Sequence, residues 1–260
     1  MADFPRREVL RDTFGDLAAH YHRVRPRYPE TLFDDLVTLT GLAAPARLLE
    51  IGPGTGIATL KLAARGFRVV GVEVSTEMAR TARHNLAAWD TVEIVTGPFE
   101  AFMADEPFHA ALAFTAFHWI EPEARYARLA RLLRSGGLLV VADSRLTARE
   151  DADSFFHEAD ADYVSVLGGR ASTPGAPALV SLRDEIEESG LFEHLATRNY
   201  LWHVTYAAPA YLELLGSFPW YATLEPADRE ELYARLQRRI EARGTITATF
   251  EAVLDVARLS

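Results

Sequence analysis

Between Arg47 and Ala142 short apolar runs alternate with stretches of helical pattern, and this alternation constrains the fold more than any other feature. The runs are Arg47–Ile51, Phe67–Glu73, Val92–Val95, Phe108–Phe114 and Gly137–Ala142. Helical stretches lie between them, from about Thr55 to Arg65, Thr76 to Ala88 and Pro122 to Leu133. Parallel strands need a crossover connection, usually a helix, so this spacing predicts crossover units and a parallel sheet. The near-continuous apolar character of the first, second and fifth runs fits strands covered on both faces.

The pattern ends near Asp143. Beyond it the sequence predicts helices over 150–167, 178–189, 208–216 and 226–242, and strand-like runs over 192–206 and 245–254. A loop rich in glycine and proline separates the first two helices, between Gly168 and Pro177. Upstream, 12–23 and 29–40 read as two helices. Pro26 and Pro29 forbid a continuous helix there and stiffen the connection.

Composition narrows the partners. The formal net charge is -10, which opposes a polyanionic partner, since nucleic-acid binding leaves a basic footprint. There is no cysteine, hence no disulfide, thiolate metal site or cysteine nucleophile, and Lys61 is the single lysine. No window approaches the roughly 20 apolar residues of a membrane span. The first residues lack the apolar core of a secretory signal, so a cytoplasmic location is the expectation. His20 and His22 form an H-x-H pair, but residues two apart on a helix face different ways, and no metal site is expected.

The sharpest local signal is Glu50-Ile51-Gly52-Pro53-Gly54-Thr55-Gly56, directly between the first strand and its helix. Ligands of open parallel sheets bind beyond the carboxyl ends of the strands, where this turn lies. A dinucleotide fingerprint needs a small residue three after its second glycine. That position is Ile57 or Thr59 here, and both fail. The lysine of a phosphate-binding loop is also absent. Glu73 ends the second strand, where a carboxylate can accept hydrogen bonds from both hydroxyls of a ribose.

These motifs resemble those of class I S-adenosylmethionine-dependent methyltransferases. Leu48–Gly56 looks like their first motif, Val70–Ser75 their second and Thr96–Glu100 their third-strand motif. Leu132-Leu133-Arg134-Ser135-Gly136-Gly137 is similar to the turn before their fifth strand, and the segment from Ala18 to Pro29 looks like the N-terminal cover of small-molecule members. The resemblance runs in order through roughly residues 12–145. It implies an α/β, Rossmann-like, doubly wound seven-stranded sheet with its last strand antiparallel and with helical lid insertions. One domain would span 1–260, with a cofactor-binding core over 45–145 and the sheet completed by 192–206 and 245–254. The N-terminal helices (8–40) and the insertions at 145–190 and 207–243 would form the substrate lid.

The same resemblance implies S-adenosylmethionine as cofactor. Gly52, Gly54 and Gly56 would approach its methionine portion, with Tyr21 reaching the carboxylate. Glu73 would hold the ribose, and Val74 and Phe99 would enclose the adenine. Contacts from Glu50, Thr55, Met78, Glu100, Phe114 and Thr115 would complete the set. Pro98 stands where many members carry an aspartate, so the adenine amino group would turn to Glu100 or to backbone.

A sulfonium methyl is already electrophilic, so the protein must chiefly orient the acceptor, and a base helps only an acceptor that carries a proton. His118, after the fourth strand, is the candidate general base; the competing reading is that His118-Trp119 caps the strand and packs on the next helix. Arg145, His157, His203, Trp220 and Tyr221 are candidate acceptor contacts, although such aromatics also serve as core. A lid implies a small, enclosed acceptor. The expected activity is methyl transfer to oxygen, nitrogen or carbon of a small molecule. The alternatives are a macromolecule-directed methyltransferase, or a non-methylating protein that keeps the fold and the cofactor.

Overall fold

The apolar runs become the strands of one sheet: β1 (Arg47–Ile51), β2 (Arg68–Glu73), β3 (Val92–Thr96), β4 (Phe108–Phe114) and β5 (Leu133–Thr147). The structure is a computed structural model, and it describes residues 18–147, 152–168 and 179–260. β1 pairs in parallel with β2 on one side and β4 on the other; β3 joins β2, and β5 joins β4, also in parallel. β6 (Phe192–Tyr206) and β7 (Ile246–Leu259) complete the order β3-β2-β1-β4-β5-β7-β6, with the last strand antiparallel. The order reverses between β1 and β4. This is the switch point of a doubly wound sheet, where the strand ends leave a crevice for a ligand.

Crossover helices α3 (Ile57–Ala64), α4 (Thr76–Asn85) and α5 (Pro122–Leu132) follow β1, β2 and β4. Upstream lie α1 (Ala18–Val24) and α2 (Glu30–Thr40), which begins just after Pro29 and stops at Gly41, in the left-handed region at φ 63°. Downstream come α6 (Phe155–Leu167), α7 (Arg183–Glu188), α8 (Ala208–Gly216), α9 (Pro219–Ala222) and α10 (Pro226–Arg243).

Several element bounds differ from the sequence expectation, with α3 starting at Ile57 and α4 ending at Asn85 among them. Of the Leu132–Gly137 segment expected as a turn ahead of β5, Leu132 ends α5 and the rest is part of β5. Leu133 pairs with Phe108 and Leu138 with Ala110, so the glycines sit in a bulge inside one strand. β7 extends to Leu259 rather than 254, because Asp255 and Arg258 interrupt the apolar pattern without ending the strand. α7 covers only part of 178–189, and the short α9 was not foreseen. The helix expected from 150 starts only at Phe155, while residues 150 and 151, the first residues of the 12–23 helix and most of the loop from Gly168 to Pro177 lie outside the described residues.

The chain forms two compact units. A sheet unit comprises Arg27–Ser144, Leu179–Tyr200 and Ala252–Ser260; a helical unit takes in the described residues of Met1–Pro26, Arg145–Ala178 and Leu201–Glu251. Of the segments expected to form a lid, α2 and α7 thus belong to the sheet unit. Leu49, Phe108, Ala111, Leu129 and Val141 are among the core residues of the sheet unit. The helical unit has its own core, including Phe155, Tyr163, Tyr211, Tyr221 and Leu236. Among the described residues no helix is long and apolar enough to cross a membrane, and no group of three or more His, Cys, Asp or Glu could hold a metal ion.

Phe155 is fully buried and meets Tyr211 edge-on at 5.6 Å. Phe155→Ala is expected to destabilise the fold by about 3–5 kcal/mol, the usual range for deleting a buried ring. Urea unfolding followed by circular dichroism measures it, and a loss below about 1 kcal/mol would contradict this packing.

Candidate active site

The glycine turn after β1 is built from three left-handed positions, Gly52 at φ 64°, Gly54 at φ 59° and Gly56 at φ 86°. Only glycine adopts this geometry at no steric cost. Two of the three also lack room. A Cβ on Gly52 would lie 2.8 Å from the Ala116 Cβ, and one on Gly56 would lie 2.7 Å from the Leu86 Cδ1. At Gly54 a Cβ would meet nothing within 4 Å, so this glycine borders open space.

Glu73 holds the turn. Its Oε2 accepts a hydrogen bond from the Gly54 N–H at 2.9 Å, and its Oε1 accepts one from the Ser75 N–H at 2.8 Å. The side chain of Ser75 then caps α4 by accepting from the Met78 N–H. One carboxylate therefore ties the first strand turn to the second. From the far end of α4, the Asn85 side chain donates to the Thr55 carbonyl at 2.9 Å.

Beneath the turn, Glu50 is 1% exposed, and its Oε2 has no hydrogen-bond partner. Burial raises its pKa from 4.5 to about 7; the Thr59 hydroxyl opposes that rise and the charge of Glu73 adds to it. The open space at Gly54 and the orphaned carboxylate oxygen suit a cationic, hydrogen-bonding ligand of the kind S-adenosylmethionine is.

β4 ends on a strained residue. Thr115 has φ 52°, a left-handed value that costs a β-branched side chain about 1–3 kcal/mol. Three hydrogen bonds hold it. Its N–H donates to the Ala142 carbonyl at 2.7 Å, and its hydroxyl meets the Tyr28 hydroxyl at 2.5 Å and the Ser144 hydroxyl at 3.2 Å. Tyr28 also packs edge-on against Phe114 at 5.5 Å. His118 follows in a short helical turn, exposed, with its ring 5.1 Å from Trp119.

The expected adenine walls differ in exposure. Val74 is 38% exposed at the end of β2, Phe99 is buried and Glu100 is exposed. Met78 and Phe114 are buried. Thus Glu50, Gly52, Gly54, Thr55, Gly56, Glu73, Val74, Met78, Phe99, Glu100, Phe114, Thr115 and His118 all belong to the sheet unit.

The remaining candidates lie in the helical unit, where several have structural partners. Tyr21 lies under the Arg25 guanidinium at 4.7 Å. Arg145 donates through Nε and Nη2 to the Glu251 carboxylate, so its charge is already met. His203 pairs with the Thr249 hydroxyl at 3.0 Å, and His157 is exposed on α6. Trp220 packs at the edge of the core and Tyr221 within it, where the Tyr221 hydroxyl bonds that of Tyr163. Sequence reasoning missed Tyr28 and Asp143; the tyrosine stood in the segment from Ala18 to Pro29, and the aspartate directly precedes Ser144.

Comparison with known proteins agrees with this geometry. A family model described as a methyltransferase domain matches residues 49–141. An uncharacterised methyltransferase of Mycobacterium tuberculosis is 36% identical over 127 residues, 49% of this chain and 50% of that protein. Another, from Geobacillus thermodenitrificans, is 33% identical over 159 residues, 57% of this chain and 71% of its own length. A phosphoethanolamine N-methyltransferase of Haemonchus contortus, solved with phosphomonomethylethanolamine and S-adenosylhomocysteine, shares the fold at TM-score 0.54 and 15% identity, over 96% of this chain and 59% of that one. The chain spans about half the length of the first curated relatives it matches. It belongs to the class I S-adenosylmethionine-dependent methyltransferase family, whose cofactor is S-adenosylmethionine.

Two predictions follow from the acids. Glu73→Ala is expected to weaken S-adenosylhomocysteine binding by about tenfold or more, since hydrogen bonds to a charged group contribute about 1.5–3 kcal/mol. Isothermal calorimetry measures it, and unchanged affinity removes Glu73 from the site. Glu50 has a folded pKa raised above its unfolded value, so the folded state holds the extra proton between pH 4.5 and about 7. Its contribution to stability is therefore greatest below pH 4.5 and falls as pH rises to 7. Relative to Glu50→Gln, the unaltered protein should lose about 3 kcal/mol over that window. Parallel urea stabilities of the two proteins across it would contradict the buried carboxyl.

Proposed function

We propose that this chain is a methyltransferase that moves the methyl group of S-adenosylmethionine to a small-molecule acceptor by in-line displacement. The observation that carries the reading is the glycine turn tied to Glu73, with Gly54 bordering open space at the switch point between β1 and β4. When bound, the cofactor supplies an electrophilic methyl group on a sulfonium sulfur; the acceptor's lone pair takes the carbon as the carbon–sulfur bond breaks, leaving a neutral thioether.

The residues of the sheet unit divide the remaining work. Glu73 would hold the ribose hydroxyls, while Gly54 and Ser75 keep the carboxylate aimed. Val74 and Phe99 wall the adenine. The Gly52–Gly56 backbone and Glu50 face the methionine end, where a buried carboxylate favours a cation. Thr115 and Tyr28 fix the end of β4, because orientation governs a reaction that needs little polarisation of the methyl group. His118 takes a proton from an acceptor that carries one.

Acceptor choice is assigned to a small molecule on two grounds. The net charge of -10 disfavours a nucleic acid, and the Haemonchus protein of the same fold was solved with a small molecule beside its nucleoside product.

A metabolite extract incubated with the protein and methyl-labelled S-adenosylmethionine tests this directly. Label is expected in one or a few compounds of low mass. Label only in the RNA or protein of a whole-cell extract treated in parallel would assign a macromolecular acceptor, and tight cofactor binding with no labelled product would assign a non-methylating role. With the acceptor found, His118→Ala should lower kcat at least about tenfold, the low side of a general base's usual contribution, with cofactor affinity kept. Unimpaired turnover would leave His118 a cap of β4.

A further inference from the structure

A cavity of about 140 Å³ opens beyond the end of β4, beside Val141, Ala142 and Asp143 of β5, and lies wholly within the sheet unit. Its walls include Thr115, His118, Arg125, Asp143, Glu185 and Asp255. It shares Thr115 and His118 with the site above, and it is far smaller than the roughly 300–1,000 Å³ of pockets that hold drug-sized ligands. Its occupant is a molecule of a few heavy atoms.

The charges on the wall do not cancel. Arg125 is spent on Glu185, which also accepts from the Tyr126 hydroxyl at 2.7 Å. Asp255 is 2% exposed and is met by the Ser181 and Thr197 hydroxyls at 2.6 Å each, by the Leu182 N–H at 2.8 Å and by His194 at 3.2 Å. No arginine or lysine pairs with it among the described contacts. Asp143 gives one oxygen to the N–H of Ser144 at 2.9 Å, and its other oxygen is bound to no residue in the described contacts. The wall thus carries three carboxylates against one guanidinium. Arg125 also lines the cavity, is 7% exposed and has a buried Nε–H with no partner.

We infer that this cavity is the acceptor pocket and that the acceptor is a small amine, bound as its ammonium ion against Asp143. The inference rests on the methyl transfer proposed above and narrows its substrate class. A carboxylate or phosphate acceptor would face like charge on the wall. A quaternary ammonium has the right charge but no lone pair. An amine satisfies both demands, since it arrives as a cation and becomes a nucleophile by losing one proton. That proton goes to the His118 imidazole, the nitrogen lone pair forms the bond to the methyl carbon, and the product leaves as a methylated ammonium. Asp143 is a binding residue in this scheme, and Asp255 is a positioning residue that fixes the Ser181–Leu182 backbone beside the pocket.

The test uses the full chain with methyl-labelled S-adenosylmethionine and five probes: ethanolamine, N-methylethanolamine, putrescine, phenol and benzoate. The labelled product of a metabolite extract is identified by mass spectrometry alongside. Label should enter the amines and leave phenol and benzoate untouched, and the extract product should carry its new methyl on nitrogen. Asp143→Asn should raise KM for the best amine at least tenfold and weaken calorimetric binding of that amine to the S-adenosylhomocysteine complex to match. Asp143→Glu should recover part of the loss, and affinity for S-adenosylhomocysteine should be unchanged in both variants. Methylated phenol or benzoate with inert amines, an extract product methylated elsewhere, or an unmoved KM in Asp143→Asn each overturns the amine assignment while methyl transfer stands. No labelled product from any source overturns the transfer itself, and the assignment with it.

Discussion

The geometry of the site depends on one carboxylate with two obligations. Glu73 ends β2 and is 6% exposed, and it accepts from the N–H groups of Gly54 and Ser75, which belong to the turns after β1 and β2. An ionised acceptor forms stronger bonds to N–H groups than a neutral one does, so the two turns are locked more firmly than backbone contacts alone would lock them. The three left-handed glycines then have a fixed shape to hold. A site formed before its ligand arrives spends little binding energy on ordering.

The second constraint is Thr115. A threonine in the left-handed region persists only where its surroundings over-determine it, and here Tyr28, Ala142 and Ser144 do so. The chain stores strain at the end of β4, on the wall of the Asp143 cavity. Fold likeness does not fix chemistry. The assignment of chemistry therefore rests on these residues rather than on the sheet.

Much of the sheet was legible because strands buried on both faces write themselves as apolar runs. β1, β4 and β6 and the helix α8 begin and end where the pattern predicts. The glycine turn was legible by spacing, since three glycines at alternate positions have few other uses between a strand and a helix. Bond directions were not. The position of Glu73 was clear, but its grip on Gly54 depends on how two strand ends meet in space. Arg145 looked free from its neighbours in sequence, yet Glu251 neutralises it from 106 residues away. Thr115 gave no warning of its φ, because only glycine advertises that freedom. Asp143 was overlooked because one acid among many carries no signal until a cavity wall isolates it.

The central claim is that Glu73 serves the fold and the cofactor with the same carboxylate. A crystal structure of the chain with S-adenosylhomocysteine tests it most directly. The account predicts both ribose hydroxyls within hydrogen-bond distance of the Glu73 oxygens, with the Gly54 N–H still donating to Oε2 and all three glycines still left-handed. A nucleoside bound elsewhere, or a turn that abandons Glu73 to admit it, would contradict the account.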